Sequence, residues 1–89
     1  MVHAVVLIET QPDRQPELAE ELAGIDGITA VFSVAGRYDL VANLRVPDNE
    51  AVADIVSSKV RGLDGVVRTE TLIAFRVYSR TDIEGIFAP

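Results

Sequence analysis

Gly24-Ile25-Asp26-Gly27-Ile28 recurs 38 residues later as Gly62-Leu63-Asp64-Gly65-Val66. In both copies a glycine closes an amphipathic segment, an acidic residue turns the chain, and a second glycine precedes a run rich in β-branched residues, the pattern of a helix-to-strand corner. Before the first copy, Pro16 suits the opening turn of a helix running to about Ala23, with Leu18, Ala19 and Leu22 as its apolar stripe. Before the second, Val52, Ile55, Val56, Val60 and Leu63 recur at helical spacing over Asn49–Gly62, with Asp48 or Asn49 placed to cap.

Four strands flank these helices. Val2–Glu9 reads as a strand apolar on both faces, Ile28–Ala35 and Tyr38–Val46 as an antiparallel pair, and Val66–Tyr78 as a long fourth strand with room for a bend. The order is βαββαβ. Two βαβ halves sharing one corner motif predict a ferredoxin-like α+β sandwich: a four-stranded antiparallel sheet with two helices on one face.

At 89 residues the chain has room for one domain, assigned to residues 1–79, with residues 80–89 as a tail that is polar except for Ile83, Ile86 and Phe87. A hydrophobic fraction of 48% is large for so small a body. Alternation along the strands directs Val67, Thr69, Thr71 and Ile73 to the helices, and Arg68, Glu70 and Leu72 to the helix-free face. With Val5, Leu7 and Val41 that face carries an apolar centre fringed by charge, which predicts at least a dimer.

Charge and composition exclude several functions. Fourteen Asp and Glu against eight Lys and Arg give a net charge of −6, a poor match to nucleic acid, whose recognition is dominated by phosphate neutralisation. The chain has no cysteine, which removes thiol chemistry and zinc ribbons, and the longest apolar run, Ala4–Ile8, is far shorter than a membrane span. These features predict a cytoplasmic protein. The single histidine, His3, reads as a strand-end side chain, no serine has a histidine near it in sequence, and neither a catalytic residue, a metal site nor a cofactor is expected.

One constellation invites a chemical reading: Gly36-Arg37-Tyr38-Asp39, between the second and third strands. As a turn, Gly36 supplies a positive φ, Tyr38 begins a strand and Asp39 accepts hydrogen bonds from turn backbone. As a site, exposed amides, a guanidinium, a phenol and a carboxylate suit a small zwitterion, and an amino acid is such a ligand.

The run Val31-Phe32-Ser33-Val34-Ala35-Gly36-Arg37-Tyr38-Asp39-Leu40-Val41 resembles the apolar strand, G-x-Y/F-D and apolar strand of the effector-binding (RAM) domain of the Lrp/AsnC, or feast/famine, transcriptional regulators. Leu63-Asp64-Gly65-Val66-Val67-Arg68-Thr69-Glu70-Thr71 is similar to that family's entry into its last strand. The resemblance runs from about Val2 to Tyr78. It implies a dimer that assembles further, into octamers or decamers, and binds an amino-acid effector between subunits. Carried onto this chain, the contacts are Gly36, Tyr38 and Asp39, with Thr69 and Thr71 beyond them. Arg37 fills a variable position and is assigned by its charge, to a ligand carboxylate or to Glu70. Because the chain opens at the first strand, the resemblance also implies a stand-alone form without the DNA-reading helix-turn-helix.

Two other functions compete with an amino-acid-binding module in transcription regulation. One is a purely structural partner of a full-length Lrp/AsnC regulator. The other is a small dimeric enzyme of the monooxygenase-like ferredoxin type, which would need a polar pocket between helices and sheet.

Overall fold

In the computed structural model, which describes residues 1–78 and Arg80, β1 (Val2–Thr10) alternates between two environments. Ala4, Val6, Ile8 and Thr10 are buried, while His3, Val5, Leu7 and Glu9 are half-buried on the other face. This is the period of two expected of a strand with a different layer on each side. The helix α1 (Gln15–Ala23) follows, entered through a 3-10 turn at Pro12–Arg14. Then come β2 (Ile28–Ser33), β3 (Leu40–Val46), α2 (Asn49–Asp54) and β4 (Val66–Ile73). The sheet order is β2-β3-β1-β4, and every neighbouring pair is antiparallel.

That order is the ferredoxin-like α+β sandwich the repeated corner predicts. At the corners, Ile25 N donates to Leu22 O at 3.0 Å and Leu63 N to Val60 O at 3.1 Å. The second glycine of each copy has a positive φ, +99° at Gly27 and +103° at Gly65. Neither has space for a side chain: a Cβ on Gly27 would lie 2.7 Å from Ile55 Cδ1, and one on Gly65 would lie 2.9 Å from the Arg14 stem. Each carbonyl then accepts from a strand or loop amide, Gly27 O from Arg45 N and Gly65 O from Gln11 N, both at 2.8 Å. The echo in sequence is therefore an echo in hydrogen bonding.

Between sheet and helices, Val6, Ile8, Leu18, Leu22, Leu40, Leu44 and Val60 are almost completely removed from water. Burying side chains of this size stabilises by roughly 1.5–3 kcal/mol each. Among the described residues no helix is long and apolar enough to cross a membrane, and no cluster of His, Cys, Asp or Glu is arranged to hold a metal ion.

Three boundaries differ from the sequence expectation. The β2–β3 connection is longer than a tight hairpin, because β2 ends at Ser33 and β3 begins at Leu40. The second helix is capped by Asp48, whose carboxylate accepts from Ala51 N at 2.8 Å, but its second half, Ile55–Val60, is π-helical. There Arg61 N donates to Val56 O, five residues back, at 3.0 Å. The fourth strand ends at Ile73; Ala74 N still donates to His3 O at 2.9 Å, and the backbone then leaves the ladder. The expectation placed on the tail, with Ile83, Ile86 and Phe87, falls outside the described residues.

The assignment of faces on β4 agrees with its register. Thr69 sits opposite Ile8 and Thr71 opposite Val6 on the helix side, while Glu70 sits opposite Leu7 and Leu72 opposite Val5 on the helix-free side. Val67 and Ile73 nevertheless remain 56% and 45% exposed, because β4 is an edge strand that the helices cover only in part. On the helix-free face Phe32, Val41, Leu7 and Glu70 form one cross-strand row, with Phe32 and Leu72 each 49% exposed.

Candidate functional site

The β2–β3 loop has a tied base and a free tip. At the base, Val34 N donates to Asp39 O at 3.0 Å, and Asp39 N donates to Ile8 O at 2.9 Å. Pairing between β1 and β3 stops at Ile8 and Leu40. The next β1 amide that points toward β3, that of Thr10, therefore meets no strand backbone. Asp39 replaces it, with Oδ2 accepting from Thr10 N at 2.8 Å. Gln15, in the first turn of α1, donates from Nε2 to Ser33 Oγ at 2.9 Å and to Asp39 O at 3.1 Å, binding the ends of β2 and β3 to the helix. The hydroxyl of Thr10 is buried and has no hydrogen-bond partner among the described residues.

At the tip Gly36 has a φ of +136°, the positive value the turn reading requires, and a Cβ there would meet nothing within 4 Å. Gly36 is demanded by backbone conformation, with open space beside it. Arg37 is exposed and makes no ion pair among the described residues.

Tyr38 crosses to the helix-free face, where its hydroxyl donates to Glu70 Oε1 at 2.8 Å. Arg68 lies over the Tyr38 ring, with Cζ 5.3 Å from the centroid, and its Nε is 3.4 Å from Glu9 Oε1. Glu9, Arg68, Tyr38 and Glu70 thus form a chain of alternating attraction across β1, β4 and the loop. The bond to Glu70 raises the Tyr38 pKa above its ordinary value of 10.0, reinforced by partial desolvation and opposed by the positive charge of Arg68.

Of the residues singled out in the sequence, Gly36, Arg37, Tyr38 and Asp39 share this loop, but their side chains diverge. Asp39 is turned to the end of β1 and Tyr38 to β4, while Arg37 faces solvent. Thr69 and Thr71 are on the helix side of β4, across the sheet from the Tyr38 hydroxyl. Within one protomer they do not join it. Glu70 is the partner of Tyr38, leaving Arg37 without the acidic neighbour that sequence suggested for it. Gln15, Thr10 and Glu9 went unnoticed in the sequence. Only the alternation that places Glu9 beside Glu70 and Arg68 carried a signal, and it becomes specific once the β1–β4 register is known.

The tip therefore offers a cation and backbone amides for a carboxylate, and the Glu70 side offers a carboxylate for an ammonium. It holds no nucleophile with an adjacent base. His3 pairs with Arg45 toward the start of β1, whereas the loop adjoins the end of that strand.

The similarities to known proteins agree with this architecture. An uncharacterized HTH-type transcriptional regulator of Pyrococcus furiosus is 40% identical over 75 residues, covering 81% of this chain and 50% of the regulator. The chain spans about half the length of the curated relatives it matches. A crystal structure of a Thermus thermophilus protein superposes with a TM-score of 0.85 at 45% identity, covering 90% of this chain and all of the other. A feast or famine regulatory protein from M. tuberculosis, solved in complex with L-methionine, superposes with a TM-score of 0.72 at 29% identity, covering 90% of this chain and 54% of that one. The relatives are transcriptional regulators, and residues 3–83 match the Lrp/AsnC ligand binding domain, so the chain belongs to that family.

Proposed function

We propose that this chain is a non-enzymatic, oligomeric module that binds an amino acid or similar small effector and acts, in the cytoplasm, in amino-acid-responsive transcription regulation. The observation that carries the reading is the loop itself: an exposed tip whose Arg37 makes no ion pair among the described residues, on a base tied by Asp39 and Gln15, beside the Glu70 carboxylate. Gly36 and Arg37 meet the effector carboxylate, while the Tyr38 and Asp39 side bounds its ammonium. Thr69 and Thr71, facing the helices, enter such a site only from a neighbouring protomer. The methionine complex of the M. tuberculosis relative supports an amino acid as the ligand class.

A dimer through the helix-free face fits the half-exposed Phe32 and Leu72 around Val5, Leu7 and Val41, and assembly into a larger ring brings loops of one dimer against strands of the next. A net charge of −6 opposes direct contact with DNA, so the module passes its signal by assembly, alone or with a full-length Lrp/AsnC regulator.

The test is a thermal-shift screen against the twenty amino acids. A ligand present at about 100 times its Kd adds about 2.7 kcal/mol, a rise on the order of 10 °C for a domain of this size. A selective rise that Arg37→Ala abolishes supports the site. A flat panel overturns it and favours the purely structural partner.

A further inference from the structure

Fourteen carboxylates outnumber eight cations in this chain, yet one depression has two arginines and, among the described residues, no carboxylate in its wall. It lies between Arg61, just past the π-helical turn, and Val66–Thr69 at the start of β4. Its volume of about 450 Å³ falls within the range of about 300–1,000 Å³ usual for small-molecule sites.

The backbone of β4 shapes this wall. Glu9 faces Arg68 and Thr10 faces Val66, so Val67 is an extra residue in the strand. Such a bulge interrupts the alternation of side chains and bends the strand, and the wall accordingly draws on consecutive residues. Beyond the bulge, Ala74 N donates to His3 O, so the odd-numbered residues of β1 turn their bonding groups toward β4. Their partners Arg68, Glu70 and Leu72 bond inward. The Thr69 N–H consequently points away from the sheet, along an edge that no strand covers among the described residues.

Both arginines are open to a ligand. Arg61 is exposed and makes no ion pair among the described residues. Arg68 has its Nε 3.4 Å from Glu9 Oε1, with the two side chains 56% and 40% exposed. Exposed pairs of this kind contribute little, so Glu9 balances the charge of Arg68 only weakly. A guanidinium is a planar fork of donors that matches one carboxylate or one edge of a phosphate. Two forks on different elements, with an outward amide beside them, match an anion whose oxygens point in several directions.

We propose that this depression binds the phosphoryl group of a small phosphate ester or diphosphate, with Arg61 and Arg68 on its oxygens and the Thr69 N–H donating to another. A phosphoryl group carries a charge of about −1.5 to −2 at neutral pH, which suits two guanidinium groups. The volume leaves room beyond the phosphoryl group for the rest of the molecule. With no carboxylate in the wall to receive an ammonium, the site does not suit an amino acid, and it uses no residue of the β2–β3 loop.

NMR titration of the isotope-labelled full-length chain with sodium pyrophosphate tests this, with ionic strength held constant. The Arg61 and Thr69 amide resonances are expected to shift and saturate, while succinate at the same concentration leaves them in place. Arg61→Gln weakens pyrophosphate binding by about tenfold or more, the effect of losing a charged hydrogen-bond partner. Arg45→Gln, which removes the same charge away from the depression, does not weaken it. Glycerol phosphate binds more tightly than inorganic phosphate. An equal response to succinate, an affinity indifferent to Arg61→Gln, an equal loss in Arg45→Gln, or glycerol phosphate no tighter than the bare ion each overturns the proposal. Because pyrophosphate carries no ammonium and the readout is at Arg61 and Thr69, a flat amino-acid panel leaves this result standing.

Discussion

Asp39 completes the sheet at Thr10: its carboxylate accepts the Thr10 amide at 2.8 Å, at the point where β3 has no backbone left to offer. Asp39→Ala leaves that partly buried N–H without an acceptor and is expected to cost about 1–3 kcal/mol, whereas Asp39→Asn keeps an oxygen in place and costs less. Urea unfolding of the two variants gives the comparison. Equal stability for wild type and Asp39→Ala would show that water satisfies the amide equally well. Asp39→Asn is then the cleaner variant for asking whether the charge serves an effector.

Tyr38 is expected to ionise above the ordinary tyrosine value, because ionisation breaks its hydrogen bond to Glu70 and places two negative charges side by side. A pKa raised by folding means that the hydroxyl form is favoured in the native state. Its contribution is complete below pH 10 and disappears as pH rises through the raised value. Absorbance titration with Tyr38→Phe as reference isolates the transition. Glu70→Gln should move it downward, and an unmoved transition would remove Glu70 as the cause.

The glycines at the corners and at the loop tip should fail differently. Gly36→Ala meets only the strain of its positive φ, about 1–3 kcal/mol. Gly65→Ala meets comparable strain and also displaces the Arg14 stem and Leu18, both near 3 Å from the new Cβ. Melting temperatures should therefore fall further for Gly65→Ala. The reverse order would mean that the loop tip is the more constrained of the two.

Thr10→Val should stabilise the protein by about 1 kcal/mol, since it removes a buried hydroxyl without a partner among the described residues and keeps both the branched strand side chain and the amide bond to Asp39. Denaturation midpoints decide the matter. A loss would reveal a hydrogen bond made to that hydroxyl in solution.

What could be read along the chain is what depends on neighbours in sequence. The Gly24–Ile28 and Gly62–Val66 corners, the alternating faces of β4 and a cap at Asp48 or Asn49 are local patterns, and each has its counterpart in the fold, the cap at Asp48. The π-helical turn over Ile55–Val60 was not legible, because apolar residues at 52, 55, 56 and 60 satisfy an α-helix as well as a wider turn. The site was legible only as a composition. Asp39 bonds a residue 29 positions away and Tyr38 one 32 positions away, and those pairings depend on strand register. Thr69 and Thr71 came from family likeness, while their own alternation assigned them to the helix side, where the structure places them.

The loop with a tied base and a free tip has a thermodynamic meaning. Ordering a residue's backbone costs roughly 1–2 kcal/mol, and Ser33, Val34 and Asp39 have already incurred that cost in folding through Gln15, Thr10 and Ile8. A ligand arriving at Gly36 and Arg37 would have only the tip left to immobilise. Most of its contact energy would then appear as affinity, and the rigid base would carry the rearrangement of two residues directly into β1 and α1.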